Sequence, residues 1–235
     1  MWKKMKQAFD GFEKLQVVSV SPWLMERAGR SSILGDKSQC VVYNGVNTEQ
    51  FSYRCEEAKR LRAYHKCENK KVIFHVTPTF SADPDHLKGG YYVLELARRM
   101  PEVMFFVAGE CKEEILCTEN LIMLGKIADQ DLLAAYYSMA DVTLLTSKKE
   151  TFSMVCAESL CCGTPVIGFL AGGPETIAIP EYSQFCPYGD IEQLEKLLSD
   201  KKKYEKRIIA ENAQKNYAIS EMIEKYIEIY HQLIG

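Results

Sequence analysis

Residues 148–177 read KKETFSMVCAESLCCGTPVIGFLAGGPETI. Just upstream, residues 142–145 form a short apolar, β-branched run that reads as a strand and ends in a polar loop, 146–150. A helix is expected from about Ser153. Thr151 or Ser153 would be its N-cap, because a short side-chain oxygen satisfies the first unpaired N–H groups. Gly163 is placed to end that helix, since glycine adopts left-handed φ at a C-terminus without steric cost. Pro165 stops any continuation, and residues 165–169 read as the next strand. Gly172-Gly173 then leads to Pro174, which suits the first turn of another helix.

The same alternation runs outward in both directions. Further strands are predicted over 16–20, 40–43, 71–77, 103–108 and 121–124. Helices are predicted over 22–34, 89–100, 129–139, 190–198 and much of 201–233. The runs VIFHV and MFFVA are apolar at every other position on both faces, which suits central strands of a parallel sheet covered by helices on each side. The expected fold is α/β: a doubly wound, Rossmann-like parallel sheet with helical N- and C-terminal extensions. Residues 1–45 read as helix, strand, helix, strand, too little for an independent domain. Asn-Gly and Asn-Thr in 44–51 signal turns and mark a hinge. The main domain is expected over 46–200, and C-terminal helices over 201–235.

Composition narrows the function. The chain has 235 residues, 47% hydrophobic and 26% charged, enough to bury a sizeable core. A net charge of -3 argues against a nucleic-acid partner, which would favour a basic excess. The nine cysteines include no CxxC pair and no Cys/His zinc spacing, so they read as buried thiols in a reducing cytoplasm. No metal or cofactor is called for. No apolar run approaches the ~20 residues needed to span a bilayer.

Two helix starts, near Ser153 and Pro174, should face the C-terminal edge of the sheet, where open α/β sheets bind ligands. Free N–H groups there attract phosphate. Glu150 and Glu158 bracket the first start, about two helical turns apart. Glu158 lies among Val155, Ala157 and Leu160, and a carboxylate in such company needs a reason. Carboxylates accept pairs of sugar hydroxyls well.

These residues resemble glycosyltransferase family 4. Glu150 to Glu158 matches its E-x7-E motif, and ESLCCGTPVIGFLAGGPE is similar to the family's continuation. Residues 43–48 with Phe51 look like the family's NGVD-x-x-F link, Lys88-Gly89 like its KG, and Asp131 through Val142 like its EL…Y…ADV segment. The resemblance implies the donor-binding, C-terminal half of a retaining GT-B glycosyltransferase. Glu150 would contact the transferred sugar and Lys88 the diphosphate, the two groups at the chemistry. Glu158 would hold the ribose. Backbone N–H groups of Phe152, Ser153 and Met154 would grip sugar and phosphates, and Gly125, Lys126 and Ile127 would edge the base. Lysine and helix dipoles replace a metal, and the sole small-molecule partner besides the acceptor is the nucleotide-sugar donor.

Two departures stand out. The family carries Gly-Arg at the end of the strand before KG; here the strand ends His75-Val76-Thr77-Pro78, so that cation is missing, and only the histidines His86 and His75 are near in sequence. The acceptor-binding domain is also missing, so residues 1–45 read as its remnant and linker. That predicts a separate N-terminal acceptor domain or subunit, and a glycan or lipid-linked acceptor as in polysaccharide biosynthesis. The basic residues Lys201, Lys202, Lys203, Lys206 and Arg207, and the amphipathic segment with Trp2, Met5, Phe9 and Phe12, fit a cytoplasmic chain with peripheral contact on the inner membrane face. Two alternatives stay open: a non-catalytic nucleotide-sugar-binding subunit or degenerate copy, and a nucleotide-sugar epimerase on the same fold.

Overall fold

A computed structural model describes residues 2–234. The chain opens with α1 (Trp2–Asp10), β1 (Gln16–Ser19), α2 (Pro22–Gly29) and β2 (Ser38–Val41). β1 and β2 pair in parallel as a small two-stranded sheet. The side chain of Trp2, part of the apolar stripe noted above, lies outside the described residues. After α3 (Cys55–Tyr64) come β3 (Val72–Phe80), α4 (Gly90–Arg99), β4 (Met104–Cys111) and β5 (Leu121–Gly125). Then follow α5 (Gln130–Met139), β6 (Val142–Leu145), α6 (Met154–Cys161), β7 (Val166–Phe169), α7 (Gly173–Ile177), β8 (Ser183–Cys186) and α8 (Ile191–Ser199). Two helices close the chain, α9 (Lys206–Tyr217) and α10 (Ile219–Ile234).

The main sheet has six parallel strands in the order β5-β4-β3-β6-β7-β8. From β3 the chain builds outward to β4 and β5, then returns to lay β6, β7 and β8 on the other side. The strand order therefore reverses between β3 and β6, the place where such sheets open a crevice. Alternate residues feed two cores. Val72, Phe74 and Phe106 pack toward α3, α5, α6 and α9, while Ile73, Phe105 and Val107 pack toward α4 and α8. The doubly wound expectation holds.

Several boundaries differ from those read in the sequence. α2 ends at Gly29, five residues before the expected Leu34, because Ser31 turns the chain: its hydroxyl accepts from the N–H groups of Ile33 and Leu34. α3 and β8 were not anticipated; α3 is mostly polar, and β8 is a four-residue edge strand, SQFC. β3 runs on to Phe80, with a register shift against β4 around Pro78, which has no N–H to offer the ladder. The C-terminal helical run breaks at Ala218, which is extended (φ -58, ψ 143) and bridges in parallel to Val46.

Candidate functional site

The loops leaving β3 and β6 meet at the point of reversal. Leu87 carbonyl accepts from Lys148 N–H at 2.8 Å, and Lys88 carbonyl accepts from the Thr146 hydroxyl at 2.9 Å. This fastening needs Gly89: its φ is 67°, and a Cβ there would run into the Thr146 carbonyl. Lys88 is thereby aimed across the crevice, and its Nζ lies 2.5 Å from Oε1 of Glu150. The two side chains are 32% and 22% exposed, so the pair stands at the wall rather than in bulk solvent.

Glu150 is fixed by its own backbone. Its N–H donates to Ala171 carbonyl and its carbonyl accepts from Gly173 N–H, both at 2.9 Å. The chain then turns through Ser153, whose φ of 81° is rare for a residue with a Cβ and costs about 1–3 kcal/mol. Ser153 caps α6, its hydroxyl accepting from Cys156 N–H. The N–H groups of Phe152, Ser153 and Met154 have no hydrogen-bond partner among the described residues, and they stand at the positive end of α6.

Glu158 lies one turn into α6. The buried Tyr137 hydroxyl donates to its Oε2 at 3.1 Å, and among the described residues Oε1 takes no protein partner. Burial pushes the Glu158 carboxyl up from its ordinary range, and the Tyr137 bond opposes that rise. Tyr137 is itself pushed well up, by burial first and by the Glu158 charge second. Gly125 ends β5 and Lys126 and Ile127 follow it, on the same sheet edge but with β4 between them and β3. A Cβ at Gly125 would face open space. The structure thus brings Lys88, Glu150 and residues 152–154 together, sets Glu158 one turn along, and carries 125–127 at the end of β5, with β4 between that strand and β3.

Two expectations need correcting. The start of α7 is not free for an anion. Glu175 turns its own carboxylate back onto Ala171 N–H (3.0 Å) and Gly172 N–H (2.7 Å). Glu175 stands three residues after Gly172, the position from which a carboxylate reaches back to the backbone N–H groups that open a helix. The second free helix start is instead that of α4, where Gly90 and Tyr91 N–H groups take no partner among the described residues, beside Lys88. Nor does His75, near in sequence to the missing arginine, bring a charge to the site. It is 2% exposed, its Nδ1 donates to Leu144 carbonyl at 3.0 Å, and burial lowers its pKa to about 4, so it is neutral. Among the described residues no three His, Cys, Asp or Glu side chains gather as metal ligands. None of the described helices is long and apolar enough to cross a membrane.

With this geometry in hand, comparison with known proteins decides the family. The family described as Glycosyl transferases group 1 matches residues 67–216, which takes in β3 through α9 and every site residue above. The chain belongs to that family. It is a glycosyltransferase family 4 chain with the Rossmann-like GT-B architecture. N-acetyl-alpha-D-glucosaminyl L-malate synthase of Bacillus anthracis is 24% identical over 246 aligned residues, covering 95% of this chain and 61% of that protein. A D-inositol 3-phosphate glycosyltransferase of Thermomonospora curvata is 51% identical over 57 residues, 24% of this chain. Among solved structures, sucrose-phosphate synthase of Thermosynechococcus elongatus superposes with a TM-score of 0.76 at 20% identity, over 100% of this chain and 62% of that one. HepE of Anabaena in complex with UDP-glucose superposes at 0.75 and 18%, over 98% of this chain and 68% of that one. The group 1 chain thus spans 61% of the Bacillus anthracis synthase and 62% of the sucrose-phosphate synthase, well short of either full length.

Proposed function

We propose that this chain binds a nucleoside-diphosphate sugar at the reversal point of its sheet and supplies the donor half of a retaining glycosyl transfer. The observation that carries this is the Lys88–Glu150 pair, set between two helix starts whose N–H groups are unspent. A diphosphate placed there meets a lysine ammonium and the positive ends of α4 and α6, which stabilise the charge that grows on it as the sugar departs. Glu150, handed off by Lys88, accepts from hydroxyls of the transferred sugar. The unpaired oxygen of Glu158 accepts from the ribose, and residues 125–127 border the base. The UDP and UDP-glucose complexes of HepE support uridine as that base.

In this reading residues 46–200 form the donor domain, 1–45 end the acceptor-binding half, and 201–235 return to it. The acceptor is a glycan or a lipid-linked glycan, and the reaction runs at the cytoplasmic side of a membrane. One observation favours a second reading, a subunit that holds donor without transferring sugar: the stretch 75–78, where the family resemblance places Gly-Arg, holds no arginine or lysine, and His75 within it is neutral. Turnover of donor by the chain with its acceptor half would exclude it.

Calorimetric titration tests the proposal. UDP should bind the wild type more tightly than GDP, and Lys88→Ala or Glu158→Ala should each weaken UDP about tenfold or more, ~1.4 kcal/mol. Equal affinity in wild type and Glu158→Ala would remove the ribose assignment. No nucleotide binding by the wild type would remove the proposal itself.

A further inference from the structure

The loop that carries Glu150 is held from outside the six-stranded sheet. Ser21, which opens α2, is 0% exposed. Its hydroxyl donates to the Thr151 carbonyl at 2.6 Å and accepts from Leu24 N–H at 3.2 Å. One oxygen thus caps α2 and pins the residue that follows Glu150. Two positions on, the indole of Trp23 lies against Gly172, the residue bridged in parallel to Glu150. A methyl group at 172 would stand 2.5 Å from Cε2 and 2.8 Å from both Cδ2 and Cζ2 of the ring, so the backbone itself touches the ring face. Gly172 adopts φ 108° and ψ -77°, a conformation closed to other residues. The Arg27 guanidinium sits 4.2 Å from the centre of the indole and steadies it.

Both halves of the Glu150 seat are therefore fixed by the N-terminal segment: Thr151 by a hydrogen bond, and the facing, bridged residue Gly172 by a packed ring. We infer that Ser21 and Trp23 are positioning residues, which set where the Glu150 carboxylate and the N–H groups of α6 stand. Neither side chain is needed to touch the donor; each acts through the backbone on either side of Glu150. The inference rests on the donor-site reading above for its functional meaning, and on the geometry alone for its structural one.

Hydrogen exchange and UDP titration on the full chain, as wild type, Ser21→Ala, Trp23→Ala and Trp23→Phe, test it. Ser21→Ala and Trp23→Ala should speed amide exchange in residues 150–155 and 171–175 about tenfold, with β3, β4 and β6 keeping their protection. The Kd for UDP should rise about tenfold in both, and Trp23→Phe, which keeps an aromatic face on Gly172, should restore exchange and affinity together. Unchanged exchange in those segments would overturn the inference. So would an equal acceleration across the whole sheet, which marks general loosening, or an unchanged Kd in both alanine variants. If the wild type binds no UDP, the functional reading falls, and the exchange pattern still decides whether the two side chains position the loop. Ser21→Ala removes one hydroxyl and leaves no large cavity, so it reports even if Trp23→Ala fails to fold.

Discussion

Glu158 holds a charge where burial disfavours one. Its pKa is raised by desolvation, and the single bond from Tyr137 only partly offsets that. A carboxylate whose folded pKa exceeds its unfolded value binds protons more tightly in the folded state, so its contribution to stability is present at low pH and is lost as pH rises through the folded pKa. Glu158→Gln keeps an oxygen for Tyr137 and carries no charge. The variant should therefore melt above the wild type at pH 7, and the gap should close as pH falls toward 4. A gap that does not depend on pH would show that Glu158 is not strained by its surroundings. UDP affinity should move the other way, falling in the more stable variant, which is the trade expected of a functional group in an apolar helix. The E-x7-E spacing made both carboxylates legible in the sequence. Tyr137 was not, because it reaches Glu158 from another helix, 21 residues away. The neutrality of His75 was equally hidden, since burial depth is not written in a strand's own letters.

At the scale of elements, the start of α4 depends on one residue. Gly89 carries a left-handed φ and presses on the Thr146 carbonyl, which lets Lys88 face Glu150. Gly89→Ala combines an unfavourable φ with a backbone collision and should cost about 2–3 kcal/mol. Urea denaturation would record this as a lower midpoint at unchanged slope, and UDP binding should weaken as Lys88 is displaced. An unshifted midpoint would mean that the two loops are not in close contact. The central strands were readable because β3 and β4 are buried on both faces, and the helix between Ser153 and Gly163 because its cap and stop residues are both present. α3 and β8 gave no such signal: their burial comes from neighbours, Ala58 against α5 and Cys186 against β7, and not from a periodic pattern. The occupied start of α7 was less legible, because a helix start reads as free until the acid that folds back on it, here Glu175, is recognised.

For the molecule as a whole, the N-terminal strand–helix unit closes on the far end of the chain. Gly45 N–H points to the sulfur of Met222, 177 residues on, and Val46 exchanges backbone hydrogen bonds with Tyr217 and Ile219, at 2.6 and 3.2 Å. No periodicity reveals such a contact, because it joins positions 177 residues apart. Truncation after Ala218 should therefore loosen the β1–β2 unit while sparing the main sheet, whose two cores draw nothing from α10. Limited trypsin digestion should then cut first at Arg30 and Lys37, leaving the six-stranded body intact; identical digestion of truncated and full chains would contradict this. The pairing of Val46 with Ala218 has a mechanical corollary. The backbone at Val46 and the backbone at Ala218 run side by side, laced together by hydrogen bonds like the leaves of a strap hinge. A single thread would permit swivel in every direction, whereas a doubled, laced one resists twisting and leaves a single bend.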